Sequence, residues 1–192
     1  MATYLPPVEQ PKSLLLKVVY FFMRRRFGTV MTPIAVFSAR MPLAFLTFYG
    51  RVSRLDKKLQ LPEATAVVIR EQVASINMCL FCMDAARFYA LQQSPDNAAR
   101  FDALSEYRSS PLFTAAERAA LDYATELTTE KEVRPETFEA LTRYYSDRQI
   151  CDIVWLVASE HLYNVSNIGL NINSDGLCEL DPARLGGKVK SA

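Results

Sequence analysis

The sequence predicts an all-α fold organised as one domain, and three observations carry that expectation. Two capping boxes, Thr114-Ala-Ala-Glu117 and Ser146-Asp-Arg-Gln149, each head an apolar run. Apolar residues recur at helical spacing, and no stretch alternates polar and apolar residues over a strand's length. A chain of 192 residues, half of them hydrophobic, also suits a single full-sized core. Residues 153–157 are rich in branched side chains, but they lie inside a capped helical pattern and read as helix. No fixed-period repeat is present.

The elements follow in order. Residues 1–12 hold three prolines and little periodicity, and read as an N-terminal arm. A single domain spans 13–178, with a C-terminal tail at 179–192. Residues 13–27 form a helix whose last turn carries Arg24, Arg25 and Arg26, suited to the negative end of the dipole. Gly28 stops it. We read the three arginines as a solvated helix end. Thr32-Pro33 opens a helix over 32–40 that Pro42 ends, and another covers 43–59. Leu61-Pro62-Glu63 starts a helix over 61–75, and an apolar stretch continues helically to residue 91. Further helices are expected over 94–107, 114–127, 135–145 and 146–167, with loop from Asn171.

Charge and composition exclude several classes. With 22 basic and 21 acidic side chains, nothing asks for nucleic acid. The early apolar run at 14–23 is too short to span a bilayer, and its basic cluster follows it, the wrong order for a signal peptide. No membrane partner is expected and the location is read as cytoplasmic. Four cysteines in a reducing compartment are then catalytic or buried, not structural staples. Zinc needs about four ligands. One CxxC with separate Cys151, Cys178 and His161 does not make that set by spacing, so no metal is expected, nor any other cofactor.

The chemistry gathers at Cys79-Leu-Phe-Cys82. Residues three apart share a helix face, so both sulfurs can meet. Asn77 reads as an N-cap, which places Cys79 in the first turn, where free N–H groups and the dipole favour a thiolate. That arrangement is thiol–disulfide chemistry.

The run from Arg70-Glu71 through Asn77-Met-Cys79-Leu-Phe-Cys82 resembles the signature of the carboxymuconolactone decarboxylase and alkyl hydroperoxidase D superfamily. The stretches 112–123, 155–164 and 174–178 are similar to it as well. The likeness covers about 61–178, and weakly 28–42. It implies an all-helical AhpD-like fold that assembles into homo-oligomers. It also implies a peroxide-reducing cycle in which Cys82 attacks and Cys79 resolves the sulfenic acid to a disulfide. The family's relay glutamate and histidine would fall at 67 and 86, where this chain has Val67 and Ala86.

Geometry offers a replacement. Antiparallel helices reversing near 75–78 set Glu71 level with Cys82, one turn from the family pairing. Glu71 would act on Cys82 directly or through one water, with its pKa raised by burial. The alternative is an ion pair of Glu71 with a neighbour such as Arg87. Asp84 is expected to pair with Arg87 or to line an oligomer contact. Tyr89 falls on the face of Cys82. His161, the only histidine, is either a replacement relay member or a hydrogen-bonded structural residue, and Asn164 and Asn167 beside it need partners if buried. Cys151 reads as an inert core residue; Cys178 follows a turn and carries no assigned chemistry.

The leading function is therefore a thiol-dependent oxidoreductase. It would reduce a small peroxide or disulfide substrate through Cys79 and Cys82, recycled by a dithiol reductant protein. The alternatives are a decarboxylase-like lyase and a non-catalytic oligomeric module.

Overall fold

Capping sets the best-defined half of the molecule. In the computed structural model, which describes residues 2–94 and 97–179, both capping boxes are closed. The Glu117 amide donates to Thr114 Oγ1 at 3.1 Å and the Thr114 amide to Glu117 Oε2 at 3.0 Å. Ser146 and Gln149 repeat the exchange. Each box satisfies amides that a helix start otherwise leaves open.

Among the described residues eight α-helices result: α1 (Leu14–Phe27), α2 (Gly50–Asp56), α3 (Glu63–Ile76), α4 (Leu80–Gln93), α5 (Asn97–Asp102), α6 (Ala115–Glu130), α7 (Pro135–Thr142) and α8 (Asp147–Ile168). No strand occurs among the described residues. Helix α3 is central, packed against α4, α6 and α8. The main core joins Ile69 and Val73 of α3 to Ala120 and Ala124 of α6, Leu141 of α7, and Ile153 and Leu156 of α8. Each large apolar side chain buried there contributes roughly 1.5–3 kcal/mol. Asp152, 2% exposed, ties α8 to the start of α3 by accepting the Gln60 amide at 2.6 Å.

Gly28 takes the left-handed conformation, φ 75°, and ends α1 where expected. Helix α1 turns Leu14, Val18, Phe21 and Phe22 outward. Other boundaries differ from the sequence reading. The expected helices over 32–40 and 43–59 contain wide π-helical turns, Ile34–Ser38 and Ala44–Tyr49. Of the expected helix over 94–107, Ser94 is extended, 95–96 lie outside the described residues, and the helix seen from Asn97 breaks at Ala103 into a 3₁₀ turn, Leu104–Glu106. Three residues per turn align Phe101, Leu104 and Tyr107 on one buried face, where a continuous α-helix would rotate them apart.

Asn77 is not the N-cap of α4. Its amide is still spent on α3, donating to Val73 O at 3.0 Å. Met78 then adopts φ 55°, the amide of Cys79 returns to Ala74 O, and the amide of Met78 to Ser75 O. These bonds form a Schellman-type stop built on methionine in place of the usual glycine, at a cost of roughly 1–2 kcal/mol. No residue is left over, so Cys79 itself occupies the N-cap of α4, and Cys82 lies in its first turn.

The arm lies on its own chain: the Val8 amide bonds Ala35 O, and Tyr20 Oη donates to Val8 O. At the other end, residues beyond α8 fold back as a strap. Asp175 accepts from the amide and hydroxyl of Thr32. The expected tail lies, from residue 180 on, outside the described residues. No described helix is long and apolar enough to cross a membrane.

Candidate active site

Cys79 and Cys82 are joined as a disulfide, their Cα atoms 5.2 Å apart. Cys79 is 1% exposed and Cys82 7%. They pack with Ala74, Met83 and Tyr163. A cleft of about 670 Å³ opens beside them, and of the two sulfur residues only Cys82 lines it. The π-helical turns form one wall with Ile34, Phe37 and Tyr49; α4 contributes Phe81, Ala86 and Tyr89; α8 contributes Tyr163 and Asn167. The Tyr49 and Tyr163 rings stack at 5.5 Å. The wall is mostly apolar, with one charged end made by Arg70 and Glu160.

Asn167 is the side chain the sequence reading left without an assignment. Buried on α8, it points Nδ2 at Cys82 Sγ, 3.3 Å away, and at Cys79 Sγ, 3.9 Å away. A donor aimed at sulfur favours the thiolate when the pair is reduced. The amides at the start of α4 act in the same direction. Its signal was the row of polar residues Glu160, Asn164 and Asn167 on the inward face of an otherwise apolar helix.

Glu71 is 7% exposed, and its one hydrogen bond among the described residues comes from Ser75 Oγ at 3.4 Å. Its Oε2 has no partner among the described residues. Burial pushes its pKa up to about 7, against a smaller pull from the Ser75 hydrogen bond. Glu71 thus has the raised pKa expected of it, but it does not line the cleft and makes no bond to either sulfur. The alternative ion pair with Arg87 is absent, because Arg87 bonds Asp102 at 2.7 Å.

The same contact corrects the expected Asp84–Arg87 pair. Asp84 instead holds the strap, accepting from Ser174 Oγ and from the amides of Leu177 and Cys178. These three bonds outweigh its burial and lower its pKa. Cys178 is exposed as a residue, but its Sγ donates to Asp84 O at 3.2 Å, and partial desolvation of the sulfur with the adjacent carboxylate pushes the thiol up to about 12. Cys151 is exposed, which corrects the core assignment: Ile150, Asp152 and Ile153 take the inward positions of α8 and leave 151 outside.

His161 sits behind the cysteine turn, away from the cleft. Its Nδ1 lies 3.2 Å from Asn77 Nδ2, which also donates to Asn164 Oδ1, and burial lowers its pKa. Val67 and Ala86 pack against the apolar cluster of Phe101 and Leu121, so no ionisable side chain occupies the relay positions. No described group of three His, Cys, Asp or Glu side chains is placed as metal ligands. A second groove, of about 770 Å³, is lined by residues of α6 and α7 and contains neither cysteine of the pair.

No protein-family model matches the chain. An uncharacterized Escherichia coli K12 protein, YnjA, is 25% identical over 186 residues, covering 94% of this chain and 98% of that protein. Among solved structures, the alkylhydroperoxidase AhpD core of an uncharacterized peroxidase-related protein from Ralstonia eutropha JMP134 superposes with a TM-score of 0.73. It is 21% identical over 91% of this chain and 94% of the other. The chain has the AhpD-like fold. The debrominase Bmp8, in its C82A form with 2,3,4-tribromopyrrole, shares this AhpD-like architecture at a TM-score of 0.75. It is 21% identical over 96% and 97% of the two chains. In this chain's AhpD-like fold, the CxxC pair stands at the start of a helix.

Proposed function

We propose that the protein is a thiol-dependent oxidoreductase that reduces peroxides or disulfides through Cys82 and Cys79. The observation that carries this reading is the asymmetry of the pair: Cys82 faces the cleft with Asn167 on its sulfur, and Cys79 is sealed behind it. The cleft-facing partner attacks and the sealed one resolves. With a hydroperoxide, the Cys82 thiolate forms an S–O bond, the O–O bond breaks, and an alcohol leaves with a proton. Cys79 then attacks the sulfenic sulfur, water leaves, and the disulfide forms. A dithiol protein returns the two electrons. Glu71, with no direct bond to either sulfur, acts as base for the pair through one water. His161, bonded to Asn77, steadies the turn on which Cys79 sits.

The test is reaction of the reduced protein with tert-butyl hydroperoxide, followed by mass. Wild type goes to the disulfide, Cys79→Ser stops at a sulfenic acid trapped by dimedone, and Cys82→Ser does not react. An unreactive wild type sinks the peroxide-reducing reading, and hydroperoxide reduction retained in Cys82→Ser overturns Cys82 as the attacking thiol.

A second reading is favoured by the aromatic lining of Phe37, Tyr49, Phe81 and Tyr163, together with the debrominase neighbour. A halogenated aromatic bound there would exchange halogen for hydrogen while the dithiol becomes a disulfide and hydrogen halide is released. Bromide release from a bromopyrrole by the reduced protein separates the two readings.

A further inference from the structure

Resting on the oxidoreductase reading, we infer that Glu160 is the general acid of the cleft, giving its proton to the atom that leaves when Cys82 attacks. Position is the first argument. Glu160 is a carboxyl side chain that lines the cleft together with Cys82, whereas Glu71 does not. Charge is the second. Arg70 stands between two carboxylates, Asp56 at 2.9 Å and Glu160 at 3.2 Å. One positive and two negative groups leave a surplus negative charge beside an apolar wall, where it is poorly solvated.

A proton removes that surplus, and the surroundings of the two carboxyl groups differ. Asp56 has the shorter bond to Arg70, accepts the Trp155 indole N–H at 2.9 Å, and has a side chain 23% exposed against 8% for Glu160. Glu160 is thus the carboxyl with less solvent to stabilise its charge. Burial raises its pKa, outweighing Arg70 and the Asn164 amide, which donates to Oε1 at 2.8 Å. Of the other titratable groups nearby, Glu71 is the second buried acid, Tyr163 and Tyr49 are phenols of the cleft wall, and His161 is held by Asn77.

The step balances for either substrate. With a hydroperoxide, S–O forms, O–O breaks, and the departing alkoxide takes the Glu160 proton. With a disulfide, a new S–S bond forms at Cys82, the old one breaks, and the departing thiolate takes it. Glu160 is left as a carboxylate against Arg70 and recovers a proton from solvent before the next cycle. Such donation contributes typically 10²–10⁴-fold, and only where the leaving group is basic.

Leaving-group basicity is thus the readout, and it needs no knowledge of the natural substrate. The reduced protein is treated with hydroxyethyl disulfide, whose thiolate leaves poorly, with an aryl disulfide whose thiolate leaves without help, and with iodoacetamide. In Glu160→Gln the first rate should fall about 10²-fold, while the other two change less than about threefold. Equal loss on all three probes, or no loss on the first, overturns the assignment. If the variant does not fold, the wild-type rate ratio of alkyl to aryl disulfide is followed against pH. It should fall as Glu160 ionises, and a flat ratio refutes the role. The hydroperoxide reaction of the wild type is scored separately, so the oxidoreductase reading and this assignment can fail independently.

Discussion

The half of the molecule built from α6, α7 and α8 and the half built around the cysteine turn are folded by different means. In the first, the starts of α6 and α8 are fixed by residues three apart in sequence, Thr114 with Glu117 and Ser146 with Gln149, and α7 opens on Pro135. In the second, the turn rests on a left-handed methionine, the cleft wall on π-helical turns, and the sulfurs on a donor 85 residues away. Local rules are satisfied where only the fold is at stake, and broken where a reactive pair has to be placed. Beside the cysteine turn, Glu71 is a buried acid that stability alone does not ask for.

The largest expected effect tests that last point. Glu71 has its folded-state pKa raised to about 7, so its contribution to stability is full at low pH and is lost as pH rises toward 7. The slope lies between the ordinary carboxylate range and about 7, because there the native state holds the proton and the unfolded state does not. Glu71→Gln should remove a loss on the order of 3 kcal/mol across that window, read from urea unfolding at several pH values. A slope unchanged in the variant would mean Glu71 is an ordinary solvated acid. Next comes Asn167→Ala, which deletes the donor on Cys82 Sγ; the Cys82 thiol should become less acidic by about one pKa unit, read by alkylation rate against pH.

Two smaller effects fall on opposite sides of the comparison. Thr114→Ala opens a capping box and should cost about 1 kcal/mol of unfolding free energy, with the thiol chemistry unaltered. Met78→Gly should stabilise by somewhat under 1 kcal/mol, since glycine takes the left-handed conformation without strain. If that variant also slows disulfide formation, the methionine aids the placement of Cys79; if it does not, the left-handed turn alone is enough. Thermal unfolding and disulfide formation rates read both.

What was legible in the sequence divides along the same line. The all-α fold and both capping boxes were readable because their signals are local. The CxxC pair was readable because the spacing is itself the signal. Asn77 was assigned as a cap on good local grounds, but the tertiary requirement for a tight reversal gave the cap position to Cys79. Asp84 was placed toward Arg87 by helix spacing and went instead to strap amides more than 90 residues on. Asn167 and Glu160 owe their positions to how α8 crosses α3 and α4, which no window of sequence contains.

The strap has a consequence for how the chain comes to be finished. Thr32, which begins the wall containing Ile34 and Phe37, is tied to Asp175, 143 residues later. Closing so long a loop is among the slowest steps available to a chain. During synthesis, the capped helices can settle while the cleft still lacks its outer tie. A chain ending at residue 170 should then keep its helical content but show earlier protease cleavage at 31–41 than the full chain. In the growing polypeptide, the thiols are made long before the chamber that governs what reaches them.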